Sequence, residues 1–438
     1  AGTSGKVTIT IKNTEAVLQK GAGAYYPTFI PAVEPAISAD KKTATYEIPY
    51  KADAPQAVQI AGNADRLKNV EITVNGKVTR FAAQTTTTLF SAVKSLIFTG
   101  NGELTALDLS AFPNIETVNV AGNQLTSEAI DPKAANILTR LKSFNASNNP
   151  LVSVPAVVLH AASTLQTLNL SKTGLSGDGL DFSGFAALED LNLSDNALDK
   201  LKVNSSLKKL DVSNNKLLRV EGVGKDTKVT MGKQEYVSKN VEVVANEGLN
   251  MASRFGMNFG LPTFAEKDWT EVTDIVWEQL GDGSTYKKVD HGQKAYGVSN
   301  PATFLFYSPS EKNIFQSGTY RVTIKYNGAE MVISNIKVTP AKFGLDIVKD
   351  YIKVTKDGNT IADGGDVYQG NILIASIDRE GFELDKFVTD GLVEESKSSV
   401  DENHIAFRVA GYWNANDRRA VAPSIDATLK DALLTVTA

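Results

Sequence analysis

Leu165-Gln-Thr-Leu168-Asn-Leu170-Ser-Lys-Thr173-Gly-Leu175, Leu188-Glu-Asp-Leu191-Asn-Leu193-Ser-Asp-Asn196-Ala-Leu198 and Leu207-Lys-Lys-Leu210-Asp-Val212-Ser-Asn-Asn215-Lys-Leu217 share one pattern, LxxLxLxxNxL. The register continues upstream through Leu141, Phe144, Ala146, Asn149 and Leu151, then Ile115, Val118, Val120, Asn123 and Leu125. Two further copies are Val93, Leu96, Phe98 and Asn101, and Leu67, Val70, Ile72 and Asn75. In the seven copies the first, fourth and sixth positions are apolar 21 times out of 21, where a composition of 42% hydrophobic residues gives about nine. Successive copies start 26, 22, 26, 24, 23 and 19 residues apart. Units this short cannot bury an apolar side alone, so they stack, and the stack shares one continuous core.

Within a unit the fourth and sixth positions point the same way from a short strand, and the first and eleventh close the core around it. The ninth-position residues Asn75, Asn101, Asn123, Asn149, Asn196 and Asn215 are placed to bond backbone where the chain turns off the strand, which makes them scaffold. These residues resemble a leucine-rich repeat protein over about residues 56–235. The resemblance implies a solenoid that meets partners on its concave face. There the outward fifth column reads Glu71, Ile97, Asn119, Asn145, Asn169, Asn192 and Asp211, and the seventh Thr73, Thr99, Ala121, Ser147, Ser171, Ser194 and Ser213. No Tyr or Trp occurs from residue 51 to 235, whereas protein-binding hot spots are rich in Trp, Tyr and Arg. The face therefore reads as a spacer or as a polar, glycan-contacting surface, with Glu71, Asn119, Asn145, Asn169, Asn192 and Asp211 as its candidate binding residues. On the convex side, Leu104, Leu107 and Leu109 form a shortened half-copy, and Thr126–Arg140 and Val154–Ser163 each have room for a helical turn.

Upstream, Lys6–Lys12 and Thr43–Tyr50 alternate as strands and frame an aromatic stretch at Tyr25, Tyr26 and Phe29. A β unit here would cover the first coil, and a binding loop on Tyr25 and Tyr26 is the other reading. After Lys239 the texture changes to aromatic-rich strands. Ser317–Tyr326, Asn327-Gly328 and Ala329–Val338 predict a hairpin, because Asn-Gly supplies the two positive φ angles of a tight turn. Ser317-Gly-Thr-Tyr320 followed by alternation resembles the late strands of immunoglobulin-like domains, which implies a sandwich that buries Trp277 and Trp269. The short strands and turns from Asp350 to Leu384 resemble the small β domains of bacterial surface proteins, including those that follow the repeats of internalins.

Composition narrows the function classes. The 438 residues exceed one domain of roughly 150. Cys is absent, which removes disulfides, zinc-thiolate sites and a Cys nucleophile. A net charge of −5 offers no broad basic surface for nucleic acid. Residues 341–438 hold 11 Lys and Arg against 17 Asp and Glu, so the last segment carries the acidic excess. The longest apolar run, Val154–Ala162, is far below the ~20 residues that span a bilayer and includes His160. Ala1–Lys6 shows no signal-peptide pattern, as expected of a mature or trimmed chain or of one made without a signal.

Chemical motifs are sparse. His160, His291 and His404 fall in separate elements, and no metalloprotease helix, nucleophile elbow, Walker loop or dinucleotide fingerprint occurs; Gly281-Asp-Gly283 is an isolated turn. Glu394-Glu395 and Asp401-Glu402 read as solvated loops, and Asp363 and Asp366 beside Gly364-Gly365 could contribute oxygen ligands to calcium, although their spacing matches no EF-hand loop. Gly411-Tyr412-Trp413-Asn414-Ala415-Asn416-Asp417-Arg418-Arg419 reads as a hairpin tip. Its Trp413 either packs back on its own domain or, with Asn414 and Arg418, contacts a glycan.

The expected fold is mainly β with some α: an N-terminal β cap (1–55), a leucine-rich repeat solenoid (56–235), an immunoglobulin-like β-sandwich (236–340) and a small acidic β domain (341–438). This architecture resembles bacterial cell-surface or secreted proteins of internalin-like, Bacteroidetes-type organisation. It implies a non-enzymatic interaction protein for adhesion or partner binding, or alternatively a carbohydrate-binding component of a glycan-capture system. The expected chain is a monomer with a protein or glycan ligand, no cofactor, no catalytic residues and no metal.

Overall fold

The computed structural model describes residues 4–13, 18, 27–51, 56–61, 67–84, 90–99, 102–130, 138–177, 179–238, 242–250, 264, 270–282, 284–290, 303–395, 404–414, 416–417 and 419–431. Among them strand dominates, and helix is confined to the turn Ala156–His160 and the 3-10 turn Pro309–Glu311. The chain divides into two compact units, 1–234 and 235–438.

The first unit is a stack of coils. Strands Val70–Asn75, Val93–Thr99, Thr117–Asn119, Ser143–Asn145, Thr167–Asn169, Asp190–Asn192, Lys209–Asp211 and Lys228–Thr230 lie parallel in chain order. Leu96, Val118, Phe144, Leu168, Leu191 and Leu210 are successive register partners, and each is 0% exposed. Stacking turns one apolar side chain per coil into an unbroken inner row. The last strand belongs to an eighth coil that the sequence pattern does not reveal. Asp226 stands at its first position and Gln234 replaces its ninth-position Asn, while Val229 and Met231 take the fourth and sixth.

A polar ladder holds the turns that follow the strands from Thr117–Asn119 onward. Asn149 donates through Nδ2 to Val120 O of the preceding coil (2.9 Å) and to Ala146 O (3.0 Å), and its Oδ1 accepts Leu125 N–H (3.0 Å). Asn196 and Asn215 repeat this across the next junctions, with donations to Leu170 O and Leu193 O at 2.9 Å. Gln234 closes the series, donating to Val212 O (2.9 Å) and accepting Leu217 N–H (2.8 Å). Asn101 lies outside the described residues.

The first coil departs from the template. Ile72, not Val70, is the partner of Leu96, and Thr73 partners Ile97, with an irregularity between Val70 and Glu71. A shift of two residues keeps each side chain on its face, so Val70, Ile72 and Val74 remain buried. The consequence is that Glu71 stands opposite Ser95, Thr73 begins the row that runs through Asn119, and Asn75 is exposed rather than part of the ladder.

N-terminal to the coils, Ser4–Asn13 runs antiparallel between Val70–Asn75 and Thr43–Lys51 and extends the same sheet. Its alternation buries Val7, Ile9 and Ile11, and Tyr46 meets Phe29 edge-on at 4.8 Å. Tyr25 and Tyr26 lie outside the described residues. A second sheet pairs Gln56–Ala61, Val78–Ala83 and Ala106–Leu107 in parallel. The half-copy residues Leu104, Leu107 and Leu109 are buried here.

In the second unit, Gly318–Tyr326 and Ala329–Thr339 form the hairpin, with Asn327 and Gly328 at φ +48° and +71°. Val272–Leu280 pairs with Gly318–Tyr326 and places Trp277 against Phe304 (5.5 Å) and Phe306 (5.0 Å). Trp269 and His291 lie outside the described residues. Further on, Ile372–Ile377 pairs with Ile352–Lys356 and Ile405–Val409, while Phe382–Asp390 pairs with Ser424–Asp431. Phe387 and Phe407 touch edge-to-face at 5.7 Å between these sheets.

The strand Tyr412–Asn414 joins Arg419–Val421 and Ile314–Phe315 in one sheet. Trp413 is therefore a packing residue: it is 6% exposed, stacks on Tyr307 at 6.1 Å and donates its backbone N–H to Asn313 O. A sugar platform needs an open ring face, and this one is covered. Asn414 is also spent on the turn, accepting Asn416 N–H (2.9 Å) and donating to Asp417 Oδ2 (2.8 Å). Arg418 lies outside the described residues.

Candidate functional site: the concave face

The strands of the coils carry two aligned rows beside the buried inner row, partly or fully exposed except at Ser95, which is buried. The third-position row runs Ser95, Thr117, Ser143, Thr167, Asp190, Lys209 and Lys228. The fifth-position row runs Thr73, Ile97, Asn119, Asn145, Asn169, Asn192, Asp211 and Thr230. Adjacent members sit about 4.8 Å apart, the spacing of neighbouring strands. Sequence reading found the fifth row but not the third, whose members change from hydroxyls at Ser95, Thr117, Ser143 and Thr167 to charges at Asp190, Lys209 and Lys228.

Each fifth-row amide is oriented by its own backbone. The Oδ1 atoms of Asn119, Asn145, Asn169 and Asn192 accept the N–H groups of Ala121, Ser147, Ser171 and Ser194 at 3.2, 3.1, 3.0 and 2.9 Å. Asp211 holds Ser213 in the same way, accepting its N–H (3.0 Å) and its hydroxyl (2.7 Å). With the carbonyl oxygen engaged, the Nδ2 donors of four asparagines face outward in line. The face over the middle coils is thus a fixed grid of amides and hydroxyls.

Charge gathers at the margins. Glu116 bridges Lys142 (2.7 Å) and Lys94 (3.2 Å) on the two flanking coils. The hydrogen-bonded Lys142 ammonium holds the Glu116 carboxyl below its ordinary range, against a smaller opposing effect of burial and with further help from Lys94. Toward the other end Asp190 pairs with Lys209 (3.5 Å) and Glu189 with Lys208 (2.9 Å).

Two clefts lie on the coils, the second of them outside the sheet that carries these rows. One of about 360 Å³ lies where the middle coils leave their strands, beside Asn148 and Lys172. The other, about 450 Å³, has a floor of Leu180, Leu201 and Leu218 and a rim where Lys202 pairs with Asp181 (3.8 Å). Of the remaining polar groups singled out in the sequence, Asp401 and Glu402 lie outside the described residues and three others are engaged locally. Asp363 accepts Ile347 N–H (2.9 Å), Asp366 pairs with Lys342 (2.7 Å), and Glu395 pairs with Arg408 (2.6 Å). His160 is exposed and meets the Ala156 carbonyl at 2.9 Å. No group of three or more His, Asp or Glu that could hold a metal is present among the described residues. No helix among them is long and apolar enough to cross a membrane.

The family described as leucine-rich repeat and WD repeat-containing protein 1, LRR, matches residues 103–248. The mouse protein of that name is 34% identical over 131 residues, which is 29% of this chain, and the match spans 18% of the mouse protein's length. Among solved structures, InlP of Listeria monocytogenes aligns with a TM-score of 0.38 and 18% identity, over 60% of this chain and 80% of that one. The matched segment, a third of the chain, falls on coils that carry the LxxLxLxxNxL pattern.

Proposed function

We propose that this chain is a non-enzymatic interaction scaffold, displayed on or secreted from a bacterial cell, that presents its concave face to a partner. The observation that carries the reading is the register-locked grid of Asn119, Asn145, Asn169 and Asn192, whose outward donors are fixed before any ligand arrives. Preorganised groups bind without the entropy cost of ordering them. The leucine-rich repeat match supports a scaffold for macromolecular contact. In this reading residues 1–55 cap the solenoid of 56–235, while 236–340 and 341–438 serve as immunoglobulin-like and small acidic β modules of a monomer. A carbohydrate partner is the alternative to a protein, and it is favoured by the middle coils, whose outward rows are hydroxyls and amides without an aromatic anchor.

The test is binding of fluorescently labelled protein to intact epithelial and bacterial cells, read by flow cytometry. Wild type should bind saturably, and Asn145→Arg with Asn169→Arg should lower cell-associated signal at least tenfold with an unchanged circular dichroism spectrum. Saturable binding that survives both substitutions would remove the concave face from the account.

A further inference from the structure

We infer that the cleft beside the middle coils takes an acidic sugar, an inference that rests on the concave face being the binding surface. The cleft exists because two coils carry glycine where others carry side chains. Gly122 and Gly174 have φ of +68° and +74°, and a Cβ on either would come no closer than 3.7 Å to Asn148 Nδ2 or 3.5 Å to Val152 Cγ1. Its volume of about 360 Å³ falls within the ~300–1,000 Å³ of small-ligand sites. The lining is chemically selective. Asn148 offers an exposed amide, Gln124 is exposed with its Nε2 donating to Gly102 O (3.4 Å), and among the described residues of the lining Lys172 is the one charged side chain, with no carboxylate beside it. Asp195 on the next coil is held by Asn214 at 2.8 Å.

Val152 completes the set. It is 62% exposed in a polar surround and holds φ +56°, a conformation rare for a β-branched residue. A uronate presents a ring face of C–H groups, several hydroxyls and one carboxylate. Those match the Val152 methyls, the amides and the Lys172 ammonium respectively. An apolar peptide side chain would find no enclosed apolar pocket here.

Saturation-transfer NMR on the full chain tests this with tri-galacturonate, tri-mannuronate and a hyaluronan tetrasaccharide, and with cellotriose as neutral control. At least one uronate should bind at least fivefold more tightly than cellotriose. Lys172→Gln should erase that preference, and Gly122→Asn with Gly174→Asn should abolish binding. Asn tolerates positive φ, so these cleft-filling variants should keep the wild-type circular dichroism spectrum. Three outcomes would overturn the inference: no uronate of the set binds, the filled cleft still binds, or Lys172→Gln leaves the preference intact. If cell binding depends on Asn145 and Asn169 while no uronate binds, the cleft assignment fails and the concave face stands. If cell binding ignores those residues, the concave reading itself fails.

Discussion

Val152 holds φ +56° while its neighbours in the same region of the backbone are Asn148 and Lys172 at +54°. A left-handed conformation costs an ordinary L-residue about 1–2 kcal/mol, and Asn relieves much of that. Val152→Asn should therefore stabilise the protein by ~1 kcal/mol in urea unfolding, and a loss of stability would show that its side chain contributes packing not visible from its exposure. Glu116 gives a pH signature at the same scale. Its carboxyl is held low in the folded state, so its contribution is present above the unfolded value of about 4.3 and disappears as pH falls through the folded value. The three side chains are 24–52% exposed, which limits the effect to under ~1 kcal/mol. Glu116→Gln should lower stability by that amount at pH 7 and leave it unchanged near pH 2; an equal difference at both pH values would contradict the ion-pair origin.

The ladder belongs to the element scale, because each rung joins two coils. Removing Asn196 leaves the N–H groups of Thr173 and Leu175 without their acceptor, while Leu170 O keeps the Thr173 hydroxyl and Leu193 O keeps the Asn215 amide. Asn196→Ala should cost ~2–4 kcal/mol in denaturant unfolding, since two part-buried backbone N–H groups lose their acceptor at once. A cost below 1 kcal/mol would mean that water replaces the rung. This periodicity made the coils legible: Leu191 and Asn196 must recur wherever a strand and its turn recur. The eighth coil escaped because Asp226 and Gln234 satisfy the geometry with unexpected side chains. The register at Glu71 escaped because a two-residue slip leaves the inside-outside pattern unchanged. The cleft escaped for another reason. Gly122 and Gly174 read as ordinary turn glycines, and only stacking shows that the space they leave is shared.

At the scale of the whole molecule, the division at Gln234 predicts two cooperative transitions in calorimetry. Leu191 is 0% exposed in the inner row, so Leu191→Ala should cost ~2–5 kcal/mol and lower only the transition of the first unit. A shift of both transitions would show that the units unfold as one. Function is assigned to the first unit, and the assignment can be read directly by placing a photo-crosslinking residue at Asn145, at Asn169 or at Val388, which is 50% exposed in the second unit. On cells that bind the protein, irradiation should yield crosslinked adducts from positions 145 and 169 and none from 388. Adducts from 388 with none from 145 or 169 would contradict a concave binding face.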